Sequence, residues 1–417
     1  MAVRLHGRGP RRPARRAGPA LVRRGPPHRA AGARPVITLP TADGNLSSYT
    51  LRAPVTWPRP DGPPRSRIAY AAAHVVADPL AENTPGAPAA VDWDATLRFR
   101  RHLWSYGFRV ADAMDTAQRG MGLDWPATRE LIRRSAAEAR AFGDPSALLA
   151  CGAGTDHAPG AATLDEVVSA YTEQMEVIQS AGATVIIMAS RRLAALAEDP
   201  ADYHLVYGRL LGRADRPVIL HWLGEMFDPA LTGYWGSADL EKATGTFLDL
   251  VHRHADKVDG VKVSLLDAGH ETRLRAALPP GVKLYTGDDF NYPDLIASGS
   301  HALLGIFDAI APAAATALQA LDVGDTVRYT QILRPTVALS RKIFESPTYH
   351  YKTGLVLLSW LAGHQDAFAM VNGAQSARSV VHLAEVFRLA DQAGLLPDPD
   401  LAEARMRALL TVAGVTR

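Results

Sequence analysis

Over the middle of the chain, short apolar runs alternate with longer amphipathic stretches. The runs at 66–76 (SRIAYAAAHVV), 108–114, 147–151, 184–188, 217–222 (PVILHW), 258–267 (VDGVKVSLLD), 282–286 (VKLYT) and 302–307 (ALLGIF) predict strands. Most are apolar throughout rather than alternating, the pattern of parallel strands buried on both faces. Helical spacing fills 92–106, 125–142, 164–181, 201–211, 238–254, 270–278 and 291–298. Start signals agree with it: Pro126 sits in a first turn, Thr163 and Glu166 form a capping box, Ser237 caps the fifth helix, and Asp165, Asp239 and Asp294 also read as caps. This rhythm predicts an α/β fold, a (β/α)8 TIM barrel over residues 65–311. A doubly wound sheet is the alternative, but no GxGxxG appears. Residues 35–64 read as extended pieces, a hairpin or a barrel plug. Beyond Pro312 the stretches 313–322, 325–344, 350–363, 377–393 and 399–413 are helical, so 312–417 forms a helical C-terminal extension that covers a barrel face or builds an oligomer contact.

Composition changes this picture only at the ends. The chain of 417 residues is 47% apolar and 21% charged, ordinary for a globular protein. Residues 1–34 carry ten arginines and no acid, with little to bury, and read as a disordered Arg/Pro-rich tail. Without them the body is acidic, so the net charge of +2 gives no reason to expect nucleic acid as a partner. The single cysteine, Cys151, excludes an internal disulfide and suits a reducing cytoplasm. No apolar run is long enough for a membrane span.

One residue breaks the apolar pattern. Lys262 stands in the middle of VDGVKVSLLD, where burial of an ammonium is costly unless it is paired or loses its proton. A neutral amine attacks carbonyl carbon to form a Schiff base. The chain has six lysines against 39 arginines, and arginine cannot be deprotonated to do this chemistry. The bland alternative is a lysine that snorkels to the barrel mouth or pairs with a buried acid such as Asp288.

Active sites of such barrels lie at the C-terminal strand ends. The polar residues there are Asp112, Asp115 and Thr116; Thr155, Asp156 and His157; Ser190 and Arg191; His221 and Glu225; Lys262 and Ser264; Thr286, Asp288, Asp289 and Asn291; and Asp308. Each Asp, Asn, Ser or Thr has a capping or turn reading beside the functional one. His221, directly after PVIL, is expected to face the mouth.

The order PVILHW, DGVKVSLLD and VKLYTGDDFNYPDLIASGSHALLGI resembles the dihydrodipicolinate synthase / N-acetylneuraminate lyase family of class I aldolases, specifically so over 217–306. That resemblance implies a barrel whose sixth strand carries the imine lysine, Lys262, with Asp288 and Asp289 at the strand-seven mouth and Gly152 to Thr155 as the third-strand loop. It also implies a homo-oligomer. The departures are specific. The family's GTTGE is replaced by AMDTAQRG, leaving Thr116 as a remnant; its tyrosine after strand four and its carboxylate-binding arginine have no match. Arg191 is the candidate clamp and His221 the candidate proton shuttle in their place.

The sequence therefore predicts a Schiff-base lyase or aldolase acting on a small carbonyl compound without a cofactor. Lys262, His221 and Glu225 are its expected catalytic residues. Asp115, Thr116, Thr155, Asp156, Arg191, Ser264, Asp288 and Asp289 are expected to bind substrate. Two readings compete. A metal-dependent isomerase or aldolase would use His221, Glu225, Asp115, Asp156, His157 and Asp289 as ligands, although no HExxH occurs. The other is a barrel that has lost catalysis and binds a small ligand.

Overall fold

The computed structural model describes residues 34–415. All but the last residue of the expected tail lies outside them.

Strands β1 (Val36–Pro40) and β2 (Leu46–Thr50) open the chain as an antiparallel hairpin. Then follow β3 (Ala69–Ala72), α1 (Trp93–Ser105), β4 (Arg109–Asp112), α2 (Trp125–Ala139), a single turn α3 (Pro145–Leu148) and β5 (Leu149–Ala153). Next come α4 (Leu164–Ala181), β6 (Thr184–Ile187), a short α5 (Arg191–Leu196), α6 (Pro200–Arg213), β7 (Val218–Leu223), α7 (Leu240–Arg253) and β8 (Val258–Ser264). The remaining barrel elements are α8 (Ala268–Ala277), β9 (Lys283–Thr286), α9 (Tyr292–Ala297), β10 (His301–Leu304) and α10 (Phe307–Asp322). Helices α11 (Thr326–Ile343), α12 (Tyr351–Leu361), α13 (Val380–Gln392) and α14 (Pro399–Val412) complete the chain.

Strands β3 to β10 close into a parallel barrel, β10 pairing with both β9 and β3. The α/β barrel with a helical extension is therefore the observed fold. Pro312 does not separate barrel from extension, because α10 runs through it and starts at Phe307. Two expectations are corrected in detail. Asp239, not Ser237, caps α7, its carboxylate accepting the Glu241 N–H at 3.0 Å. The run at 147–151 begins as helix, since Asp144 caps a turn over Pro145, and the strand starts at Leu149. Thr163 caps α4 as expected, accepting the Glu166 N–H at 3.2 Å, and Glu166 reaches back one residue past the cap, to the Ala162 N–H at 2.6 Å.

Side chains alternate between two cores. Tyr70, Ala111, Ile186, Ile219, Tyr285 and Leu303 fill the barrel interior, whereas Val110, Leu220, Val261 and Leu304 face the helices. The hairpin packs away from the barrel lumen, on α13: Tyr49 donates to Asp391 at 2.6 Å and the Arg52 N–H bonds the same carboxylate at 3.1 Å. Behind β4, Arg100 of α1 pairs with Asp112 at 2.8 Å, and Ser135 of α2 donates to that carboxylate at 2.6 Å. All three are buried. Asp112 is thus a clamp between strand and helices rather than a mouth residue. Asp112→Ala leaves a buried guanidinium uncompensated and is expected to cost about 3–5 kcal/mol in denaturant unfolding.

Candidate active site

The alternation along β7 and β8 decides which polar groups enter the lumen. His221 is in register with Lys262, which is in register with Tyr285; Leu223 pairs with Ser264. Tyr285 belongs to the interior core and Trp222, Val261 and Val263 to the outer one, so His221, Lys262 and Ser264 point inward. Lys262 is only 7% exposed. Among the described residues its amine has no hydrogen bond and no ion pair; burial pushes its pKa down, opposed by the charges of Asp115 and Asp289. Gly287 makes room for it: a Cβ there would lie 2.2 Å from Ser264 Oγ and 3.0 Å from Lys262 Cε.

His221 Nε2 lies 3.2 Å from Ser264 Oγ, and its Nδ1 is buried without a partner. Burial, and then the charge of Lys262, hold its pKa well below the ordinary value, so the ring is neutral. Asp289 is buried against Lys262, and desolvation raises its pKa although it accepts the Ile306 N–H at 2.8 Å. An acid that holds its proton too tightly and an amine that holds its own too loosely are matched for exchange.

Helix α12 supplies what strand patterns did not reveal. Every residue of Tyr351–Leu361 is buried, and its first turn caps the barrel mouth. The Tyr351 hydroxyl bonds Thr116 Oγ1 at 2.8 Å, and its ring stacks on Phe344 at 4.4 Å. Burial raises the phenol's pKa well above normal, followed by the charges of Asp115 and Asp289, so it is a neutral donor at the mouth. Lys352 is also buried, its amine bonded to Tyr349 O at 3.1 Å and set 4.5 Å above the Tyr351 ring. One cue was present in the sequence: a helix apolar on all sides must be buried on all sides, and its leading Tyr-Lys with it.

Desolvation lowers the Lys352 pKa from 10.5 to about 8. Folding therefore disfavours the ammonium, a penalty complete below about pH 8 and gone above the unfolded value. Lys352→Met is expected to stabilise the fold at pH 7 by up to about 3 kcal/mol, with the gain shrinking as pH rises past 8. Denaturant unfolding at pH 7 and at about pH 9.5 measures both limbs.

A cavity of about 310 Å³ opens at the strand ends, lined by Asp115, Thr155, Asp156, Ser190, Arg191 and His221, among others. Asp115 presents a carboxylate with no hydrogen-bond partner among the described residues, close enough to influence both lysines. Thr155 and Ser190 share a hydroxyl bond of 2.6 Å. Arg191 reaches the rim with its side chain 57% exposed, bonded through Nε to Asp228 at 2.5 Å. Asp156 is held by Arg119, whose guanidinium keeps the carboxyl below the usual range against the desolvation that would raise it.

Two expected site residues stand elsewhere. Glu225 is exposed and lines a separate cavity on the outer side of β7 with Trp222 and Asp267, because the strand ends at Leu223 and the chain turns outward. Asp288 accepts the N–H groups of Phe290 at 2.8 Å and Asn291 at 3.0 Å, and the Asn291 side chain at 2.8 Å, which makes it a turn-former. The six groups considered as metal ligands are not assembled. His157 is engaged by Glu173 and Gln174, and among the described residues no three His, Cys, Asp or Glu side chains converge on one point.

Nothing among curated proteins matches the sequence. The family described as "Protein of unknown function (DUF993)" matches residues 37–415. The chain belongs to the DUF993 family. Solved structures share the fold of this DUF993 chain. A 4-hydroxy-tetrahydrodipicolinate synthase from Methylacidiphilum fumariolicum SolV superposes with a TM-score of 0.61 at 12% identity, covering 83% of this chain and 99% of that one. A prophage protein of the dihydrodipicolinic acid synthase family from E. coli K12, solved with pyruvate, gives 0.58 at 12%, covering 84% and 99%. Dihydrodipicolinate synthase from Bacteroides thetaiotaomicron gives 0.59 at 12%, covering 78% and 99%. The DUF993 chain thus has the same barrel fold as those structures. No described helix is long and apolar enough to cross a membrane.

Proposed function

We propose that this DUF993 protein is a Schiff-base-forming lyase or aldolase acting on a small carbonyl compound through Lys262. The observation that carries the reading is an unpaired amine buried in the lumen on the sixth barrel strand. In its neutral form the Lys262 nitrogen adds to the substrate carbonyl carbon, loss of water leaves an imine, and a proton taken up on the imine nitrogen gives the iminium. Cleavage of the adjacent carbon–carbon bond sends its electron pair into the iminium as an enamine, while a base takes the proton from the departing hydroxyl. Protonation of the enamine and hydrolysis release the second product and restore the amine. Addition runs the same steps backwards, and in dehydration a base takes the α-proton to form the enamine, which expels the protonated β-hydroxyl as water.

His221 Nδ1, neutral and unpartnered, is the group placed to accept a proton beside Lys262. The Tyr351–Thr116 hydroxyl pair supplies a donor from the roof, in place of the tyrosine missing after the fourth strand. Asp115 and Arg191 are the substrate-facing charges of the cavity, and Asp289 tunes the amine. Borohydride added together with the carbonyl substrate is expected to inactivate the enzyme, and borohydride alone to leave it active. Turnover that survives both treatments but is lost to a chelator would replace this reading with metal-dependent chemistry.

A further inference from the structure

Behind the roof helix lies a second cavity, of about 410 Å³, outside the barrel lumen. It is bounded by residues 54–59, by α1, by the first turns of α10 and by the far half of α12. We propose that this cavity is a binding site for a small neutral polyhydroxylated molecule of monosaccharide size.

Asp308, Ser359, His102 and His364 line the cavity, and the first two each carry a buried atom with no partner among the described residues. Asp308 Oδ1 and Ser359 Oγ are buried without a hydrogen-bond partner. The other Asp308 oxygen is used, accepting the His74 N–H at 2.9 Å and facing His74 Nδ1 at 2.8 Å. His102 and His364 lie ring to ring at 4.3 Å, and among the described residues neither ring makes a hydrogen bond. Native structures leave few buried polar atoms unmatched, and two beside one cavity, with two imidazoles that lack hydrogen bonds, point to a ligand better than to a packing fault.

Their chemistry selects the ligand. Burial holds both imidazoles neutral, with pKa values of about 3 for His102 and about 4 for His364. The floor therefore carries one carboxylate and no unpaired cation, which disfavours an anionic guest. Arg59 stands only at the exposed rim, 5.9 Å from the Tyr106 ring. Hydroxyl groups donate to Asp308 and both donate to and accept from serine and neutral histidine. The walls suit the C–H face of such a molecule: Trp57 is fixed there by its indole N–H to Gly394 O at 2.9 Å, and Tyr106 and Leu358 line the cavity with it. Ser359 sits two turns along α12 from Tyr351, and the charge of Asp308 acts on the Tyr351 phenol, so an occupant would touch the helix that roofs the barrel.

Calorimetry and thermal shift on the full chain with xylitol and sorbitol test this, since alditols carry no carbonyl to react with Lys262. Saturable binding with a raised Tm is expected, weakened at least tenfold by Ser359→Ala and by His364→Phe, and unchanged in Lys262→Met. Circular dichroism of each variant separates lost binding from lost folding, and Ser359→Ala is the variant least able to disturb packing. No saturable binding would overturn the proposal. Binding lost in Lys262→Met but kept in Ser359→Ala would overturn it too, by placing the ligand in the barrel. Binding of simple ammonium compounds in preference to polyols would overturn the ligand class.

Discussion

Lys262→Met is expected to lower turnover by roughly 10⁴-fold or more, the scale on which enzymes lose rate with a covalent nucleophile. Methionine fills a similar volume without an amine, so the lumen stays packed. The loss should come with no loss of stability. Burial makes the ammonium unfavourable in the fold, and that penalty leaves with it. The sign follows from the lowered pKa: between the folded and unfolded values the unfolded chain binds the extra proton, so wild-type stability rises with pH across that window. The variant should lack this rise. Steady-state kinetics with a denaturant series at two pH values reads both effects. An inactive variant that is also unfolded would say nothing about chemistry, whereas an inactive and stable one isolates the amine.

Tyr351→Phe is expected to reduce turnover by about 10²-fold, within the range for loss of a positioned acid–base group, while leaving imine formation intact. The phenyl ring keeps its stack on Phe344, so only the hydroxyl that bonds Thr116 is removed. Thr116 loses a partner, and a stability cost of about 1–3 kcal/mol is the ceiling for that. A variant that still traps substrate but turns over slowly places Tyr351 after imine formation. Unchanged turnover would remove it from the proton path and leave His221 as the remaining candidate.

What the sequence revealed and what it hid follow from the range of the interactions. Helix α4 was legible from Thr163 to Ala181 because cap, capping box and apolar spacing are all local. The Lys262 strand was legible because an apolar run interrupted by one amine is itself a local pattern. His221 was expected at the mouth because it directly follows the apolar run PVIL, and on β7 it lies in register with Lys262. Glu225 was misplaced because a strand pattern says nothing once the strand has ended, and β7 ends at Leu223. In the GDDFN turn the two acids look alike in sequence, yet Asp288 closes the turn and Asp289 faces the amine; only the fold separates them. Tyr351 and Lys352 were missed because they lie more than 200 residues from Thr116 and Met121, which they touch. No local rule links those segments. The lysine-poor composition was a usable hint for Lys352 as it was for Lys262.

Two buried amines, Lys262 and Lys352, feel the charge of Asp115, and only Lys262 is expected to meet the carbonyl. Borohydride reduction in the presence of aldehydes, ketones and 2-oxo acids, followed by peptide mass spectrometry, answers this directly. A reduced adduct is expected on the peptide containing Lys262, with none on Lys352 and none anywhere in Lys262→Met. An adduct on Lys352 alone, or folded protein that forms no adduct with any of these carbonyl compounds, would contradict it.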